Sequence, residues 1–331
     1  MTKIFITLFL LITASFAQKF EYDIKAKSVH LQDGILYIKT KKKKYKQILF
    51  KEGQIEIADF TPPKKEKRPR RILRDGLVTK SDKNIKQAWL YKQTLDYDHE
   101  ILGDNIEAKA IALLLQNDKK VTYSLDENHV FEDRKIRLYD INGDGQEEMF
   151  VIKTHLEKGA SLAMFEVKDE KITQTATTGY LNRSYRWLNV VGFSDLNGNG
   201  KQNIALIKTP HIGGILTIYE FEKNALKEIY SRYGFTNHYI GSRELDMSAV
   251  ADFDDDKMDE MVLVDMKAKK IKIVSFKNNK YKELKTINND SKINSAIIIT
   301  DLDNDGYKEI IYTLRNKKLI IYTYKFEKKS K

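Results

Sequence analysis

The 331-residue chain contains no cysteine. That excludes a disulfide framework, thiolate metal sites and a cysteine nucleophile. Four prolines and 16 glycines are too few for collagen-like or proline-rich architecture. Beyond residue 17 no apolar run approaches the ~18 residues of a membrane-spanning helix. No HExxH, GxSxG, P-loop or GxGxxG pattern occurs. What the chain does have is 41% hydrophobic residues, with 18 Tyr and 15 Phe, enough to bury a large core and to exclude wholesale disorder.

The N-terminus reads as an export signal. Lys3 supplies a positive start, Ile4 to Ala14 an apolar run too short to span a membrane, and Ser15 and Ala17 the small residues of a cut after Ala17. A mature chain of residues 18–331 is expected in the periplasm or outside the cell, without a transmembrane segment and without nucleic acid as partner. The net charge is +11. Its densest runs are KTKKKKYK from Lys39 and PPKKEKRPRR from Pro62. They read as a solvated hairpin rim and a loop near residues 62–84, or as attraction to anionic envelope surfaces.

Four segments align: YDINGDGQEEMFVIKT, SDLNGNGKQNIALIKT, ADFDDDKMDEMVLVDM and TDLDNDGYKEIIYTLR. Their first aspartates are Asp140, Asp195, Asp252 and Asp301, spaced by 55, 57 and 49 residues. Each acidic turn leads into a β-rich run, and an alternating run follows. A repeat of about 50 residues built from roughly four short strands marks a β-propeller blade.

The acidic turns resemble the FG-GAP/VCBS repeat (integrin-alpha-like) family, whose members form propellers with calcium loops. The resemblance covers residues 131–331. Residues 18–130 read as diverged blades. The expected fold is all-β, a single propeller of four-stranded antiparallel blades, most simply seven, with six or five as alternatives. A strand near Val29 to Thr40 is expected to complete the last blade. The words RWLN from Arg186, TPHIGG from Thr209 and NHYIGSREL from Asn237 resemble those of an exported bacterial group of this repeat type, which implies no particular activity.

Calcium takes six to eight oxygens. A tight turn aims side chains at positions one, three and five inward, adds a carbonyl at seven, and is closed by a carboxylate at nine. Asp301, Asp303, Asp305, Tyr307 (carbonyl) and Glu309 make such a set, as do Asp140, Asn142, Asp144, Gln146 (carbonyl) and Glu148. Asp252, Asp254, Asp256 and Glu260 make a third, with Lys257 where the others have glycine. Asp195, Asn197, Asn199 and Asn203 offer one carboxylate, so this turn is expected to stay metal-free, held by side-chain to backbone bonds. Two to three Ca²⁺ sites are expected.

Aligning the repeats on the first aspartate places Arg186, Arg243 and Lys292 nine residues before it, and His155 and His211 fifteen or sixteen after it. With Trp187, Asn237 and His238 they are candidates for a cationic, imidazole-rich mouth opposite the acidic turns. An anionic glycan, an envelope component or a protein is the ligand such a mouth implies. The leading expectation is a non-enzymatic binding or scaffolding module. The alternatives are an enzyme acting on an envelope polymer and a structural subunit of an envelope complex. A deep funnel with a hydrogen-bonded histidine–acid pair would favour the enzyme, a shallow, uniformly basic mouth the binder, and a large apolar patch on the outer wall the structural subunit. A zinc site from His155, His211 and His238 requires convergence of separate loops, because no local ligand spacing marks it.

Overall fold

The computed structural model describes residues 18–51, 54–63, 67–253 and 256–323. The export signal and Asp254 lie outside the described residues. The described chain is all-β: its one helical element is a 3-10 turn at Lys277–Asn279. Among the described residues no helix is long and apolar enough to cross a membrane. The chain divides into two compact units, Met1–Lys65 with Asp246–Phe276 and Lys280–Lys331, and Glu66–Leu245 with Lys277–Asn279.

The first unit opens with β1 (Gln18–Asp23), followed by β2 (Ala26–Gln32), β3 (Ile35–Thr40), β4 (Tyr45–Lys51) and β5 (Gln54–Phe60). Strands β2 to β5 form a four-stranded antiparallel sheet. Its first hairpin turns on Asp33 and Gly34, whose φ values are 51° and 73°. Asp-Gly with both residues left-handed is the two-residue turn that matches strand twist. This local signal makes Val29 to Thr40 a hairpin of its own. It corrects the expectation that this segment completes the last sheet. The basic run at Lys39 spans the next hairpin, with residues 41–44 exposed.

The second unit holds β6 (Thr79–Lys80), β7 (Ile85–Thr94), β8 (Glu107–Leu115), β9 (Lys120–Ser124), β10 (His129–Phe131), β11 (Arg137–Tyr139), β12 (Glu148–His155), β13 (Gly159–Lys168) and β14 (Lys171–Thr177). They make one nine-stranded sheet, in which β10 joins the meander β6–β9 to the meander β11–β14. Strands β15 (Leu188–Ser194), β16 (Asn203–Lys208), β17 (Ile215–Glu222) and β18 (Ala225–Tyr233) form a separate four-stranded sheet, followed by the short β19 (Phe235–Thr236). The stretch near residues 62–84 is not loop throughout, since Thr79 and Lys80 pair with Ala88 and Gln87. Arg68 in that stretch is structural: its guanidinium donates to the carbonyls of Leu73, Arg74 and Gly76.

The chain returns to the first unit through β20 (Ala249–Ala251), β21 (Glu260–Asp265), β22 (Lys270–Ser275), β23 (Lys282–Asn288), β24 (Ile298–Thr300), β25 (Glu309–Thr313) and β26 (Lys318–Thr323). Strands β20 to β23 pair in succession. In the last sheet the order is β1-β26-β25-β24, so the first strand of the described chain supplies the edge of the last sheet. Six residue pairs, from Gln18↔Thr323 to Asp23↔Lys318, fix that register.

The strand type follows from the pattern of apolar residues. The second strand of each repeat is a continuous apolar run, as in β16 (NIALIK), and is buried on both faces. The fourth strand alternates or is exposed, as in β18 (ALKEIYSRY). Within the second unit, Phe150, Ile152, Leu162 and Met164 pack with Leu188, Val190, Ile204 and Leu206 in one core. Ala108, Ile111 and Leu113 pack with Met149, Val151 and Phe165 in another. The β11–β14 meander therefore packs on one face against the β15–β18 sheet and on the other against the β6–β9 meander of its own sheet. The first unit does likewise, joining Val29, Leu36 and Ile48 with Ile311, Leu319 and Ile321.

Candidate functional site

The four acidic turns are hairpins of one register. Tyr139 pairs with Glu148, Ser194 with Asn203, Ala251 with Glu260, and Thr300 with Glu309. In each, the ninth residue accepts a hydrogen bond from the backbone N–H of the second: Ile141 to Glu148 (2.9 Å), Leu196 to Asn203 (3.0 Å), Phe253 to Glu260 (3.0 Å) and Leu302 to Glu309 (2.7 Å). The first aspartate accepts from the sixth residue's N–H, from Gly145, Gly200, Lys257 and Gly306 in turn. All four of those residues have positive φ, Lys257 at 67° among three glycines at 83–87°. A left-handed non-glycine residue costs roughly 1–2 kcal/mol.

The turns differ in what faces their centres. In the fourth, carboxylate oxygens of Asp301, Asp303 and Glu309 lie within 4.8 Å of one another. Burial, then the charges of Asp303, Asp305 and Asp301, push Glu309 up to about 7. In the first, burial and the charges of Asp144, Glu166 and Asp140 push Glu148 up to about 7, against the hydrogen bond from Ile141. Both turns are crowded with carboxylate oxygen, which fits a hard divalent cation, although in the first the Asn142 Nδ2 donates to Asp144 (3.2 Å) and Glu148 (3.0 Å) and would have to turn its oxygen inward to join the set. The second turn does not fit one. Asn203 replaces the closing carboxylate, and its Nδ2 is buried without a partner, which would oppose a cation. Lys201 supplies the positive charge instead, to Glu220 (3.3 Å) and Glu222 (3.0 Å). Asn197 and Asn199 also donate to Glu220.

A second cluster forms inside the second unit. Strand β10 lies between β8 and β12, with Phe131 opposite both Ala108 and Lys153. The chain beyond it therefore carries Glu132 and Asp133 into the interior beside Glu107. Glu132 is fully buried. It accepts from the hydroxyl of Thr154 (2.8 Å) and bonds His99 Nδ1 (2.5 Å). Trp187 Nε1 donates to the Glu132 carbonyl (3.0 Å). The Trp187 ring lies against His238, at 4.6 Å between centroids, and is stacked on His211 at 6.2 Å. His211 Nε2 and His238 Nδ1 face each other at 3.1 Å, and His238 Nε2 donates to the Ser242 carbonyl (3.0 Å). Burial, then the neighbouring His99, brings His211 down to about 4; burial, then His211, brings His238 down to about 3. Both rings are therefore neutral at neutral pH. Tyr185, 49% exposed, stacks on Tyr97 and tilts against His99.

Around this cluster acids and arginines are paired. Asp75 takes both Arg134 and Arg243 at 3.0 Å, Asp104 takes Arg74 (2.7 Å) and Arg243 (2.6 Å), and Asp133 takes Arg137 (2.7 Å). Arg134 also donates to the Arg243 carbonyl. Glu107 lies opposite Glu132. Burial first, then Glu132 and the three aspartates, push its carboxyl well above the usual range. Glu132 is raised by burial and opposed by its bond to His99.

The residues expected at a cationic mouth thus have different fates. His211, His238 and Trp187 come together. Trp187 is buried, so it is packing rather than an open platform. Asn237 is fully buried, with Nδ2 directed at the carbonyls of Asn189 and Val190. Arg243 is held by two aspartates, Arg186 donates to the Tyr185 carbonyl (3.1 Å), and His155 packs with His129 and Tyr180. Lys292 belongs to the first unit. The mouth expected to be basic is, in the second unit, a mixture of acids, arginines and neutral imidazoles. His99, Glu132, Glu107 and Tyr185 were not legible as site residues. No local signal marked them: Glu132 and Asp133 follow only Val130 and Phe131 in a polar stretch, where acids are ordinarily exposed.

Comparison of the chain with protein-family models and with curated proteins matches none.

Proposed function

We propose that the protein is an exported, calcium-braced β-propeller of the FG-GAP/VCBS type that binds a glycan or protein partner at the imidazole face of its second unit. Face-packed four-stranded sheets and the pairing of β1 with β26 support the propeller. Two meanders in the nine-stranded sheet and four further sheets favour six blades over seven. Asp301, Asp303, Asp305 and Glu309, and Asp140, Asn142, Asp144 and Glu148, would hold calcium, with the carbonyls of Tyr307 and Gln146. Its role is to neutralise crowded carboxylates and lock the hairpins.

The observation that carries the binding site is the convergence of residues 97–99, 185–187, 211 and 238–242 on the buried Glu132. Tyr185 is its exposed aromatic surface, and imidazoles with both donor and acceptor atoms suit hydroxyl-rich ligands. Arg186 is the cation least engaged by acids there, so acidic groups on the ligand would meet it. The His99–Glu132 bond favours a second reading, an enzyme acting on an envelope polymer with His99 as proton acceptor. A binding screen of glycans and envelope fractions tests the first. Tyr185→Ala and Arg186→Glu should abolish capture while the melting temperature holds. Capture unchanged by both would place the surface elsewhere. Turnover of a captured polymer that is lost in His99→Gln would establish the second reading.

A further inference from the structure

We propose that His129, His155 and Tyr180 of the second unit form a sugar-binding subsite, which takes two neighbouring hydroxyls on the imidazoles and the apolar face of the sugar ring on the tyrosine. It goes beyond the Tyr185 face, since its ligand class follows from its own donors and acceptors. His129 on β10 pairs with His155 on β12, so both rings leave the sheet on one side. Their centroids are 4.9 Å apart at 85°, and the Tyr180 ring lies 5.8 Å from the first and 5.7 Å from the second. All three residues are half-buried. His129 Nδ1 meets an Asp126 carboxylate oxygen at 2.6 Å, which only accepts, so Nδ1 carries the proton and Nε2 a lone pair. His155 Nδ1 meets the backbone N–H of Glu157 at 3.1 Å, which only donates, so Nδ1 carries the lone pair and Nε2 the proton.

Burial, opposed by the bond to Asp126, holds His129 below the ordinary imidazole range, so it is neutral at neutral pH. Among the described residues neither Nε2 has a hydrogen-bond partner, and neither is among the buried atoms left without one, so both open to solvent. One acceptor beside one donor matches two neighbouring sugar hydroxyls, each of which gives and takes a hydrogen bond. Sulfate or a carboxylate, which only accept, would leave His129 Nε2 facing another acceptor. Tyr180 supplies the apolar surface for the C–H face of the sugar. The frame is held in advance of any ligand. Lys109 Nζ donates to the carbonyls of Glu127 (3.1 Å) and His129 (2.9 Å), and Asp126 also accepts from the Asn128 N–H (3.0 Å). The segment bearing Tyr180 is pinned where the N–H groups of Leu181 and Arg183 donate to the carbonyls of Ala160 and Lys158, both at 3.1 Å. Gly159 is required beneath it, with φ at 74°, because a Cβ there would stand 2.3 Å from the Arg183 carbonyl oxygen. The same segment carries Tyr185, five residues on and so within about 18 Å, which lets one oligosaccharide reach both tyrosines.

Imidazole nitrogen NMR of the isotopically labelled full chain tests this. The tautomers are read first, with His129 expected to be protonated at Nδ1 and His155 at Nε2. Cellotriose and trigalacturonate, which carry free neighbouring hydroxyls, are then titrated in, with sodium sulfate as the acceptor-only control. At least one of the two sugars should move both imidazole signals, and sulfate neither. His129→Phe and His155→Phe keep the ring contacts and remove the polar atoms. Each should weaken sugar binding about tenfold, near the loss of one net hydrogen bond, and Tyr180→Ala should weaken it as well. Melting temperatures check that the variants are folded. The opposite tautomers, signals unmoved by both sugars, movement by sulfate alone, or affinity unchanged in both Phe variants would overturn the proposal. Signals that stay still while Tyr185→Ala abolishes sugar capture would remove this subsite and leave the Tyr185 face standing. Signals that move equally in wild type and Tyr185→Ala would support this subsite and count against that face.

Discussion

Trp187 and Glu132 occupy the same repeat position, each eight residues ahead of the first aspartate of its turn, and the Trp187 indole donates to the Glu132 carbonyl at 3.0 Å. Adjacent repeats are thus bonded through equivalent positions, one apolar and one acidic. Trp187→Phe keeps the packing and removes the donor, leaving a buried carbonyl one bond short. It should lower stability by about 1 kcal/mol, read from urea midpoints. No change would show that the contact is incidental.

Calcium should raise the melting temperature of the wild-type protein, and chelator should remove the increment. At a hundredfold excess over the dissociation constant the gain at one site is about 2.7 kcal/mol. Asp305→Ala should lose much of it. Asn199→Ala lies in the turn where Lys201 supplies the cation, so its calcium increment should equal the wild type's. Calorimetry with and without calcium decides, and equal increments in Asp305→Ala and wild type would contradict the assignment.

Glu107 carries a pH signature. Its folded carboxyl is raised well above the usual 4.5, by burial and then by Glu132, Asp75, Asp104 and Asp133. Below about 4.5 both states hold the proton and its contribution is complete. As pH rises the unfolded chain releases the proton and the folded chain keeps it, so stability falls. Glu107→Gln should flatten that decline and raise the urea midpoint near pH 8, with little effect near pH 4. Parallel pH profiles for the two proteins would refute it.

Strand β1 closes the last sheet by pairing with β26. Deleting residues 18–23 would expose the backbone of a strand whose Leu319, Ile320 and Ile321 are buried. A lower melting temperature and self-association by light scattering are expected, since an apolar edge is a template for further pairing. A monomer with an unaltered melt would show that β1 is dispensable.

The acidic turns were legible because their information is local. Nine consecutive residues carry the first aspartate, the left-handed sixth residue and the closing acid, and the register from Thr300 to Glu309 follows from that spacing alone. Asp33-Gly34 is equally local: its left-handed pair folds Val29 to Thr40 into a hairpin, and that overrides the distant pairing expected for the segment. The occupation of Arg243 was not legible, because Asp75 and Asp104 lie more than a hundred residues away in sequence.

The amino-acid order alone determined the β class, the repeat and the unequal chemistry of its four turns, since strand alternation and turn geometry depend on neighbours a few residues apart. The histidine–glutamate cluster was decided only by tertiary structure. His99 and Glu132 are 33 residues apart, and it takes β10 wedged between β8 and β12 to bury Glu132, while the loops bearing His211 and His238 are brought to it by the stacking of the next sheet. Burial then sets the protonation of Glu132, His211 and His238, because the cost of a charge away from water depends on every layer packed around it.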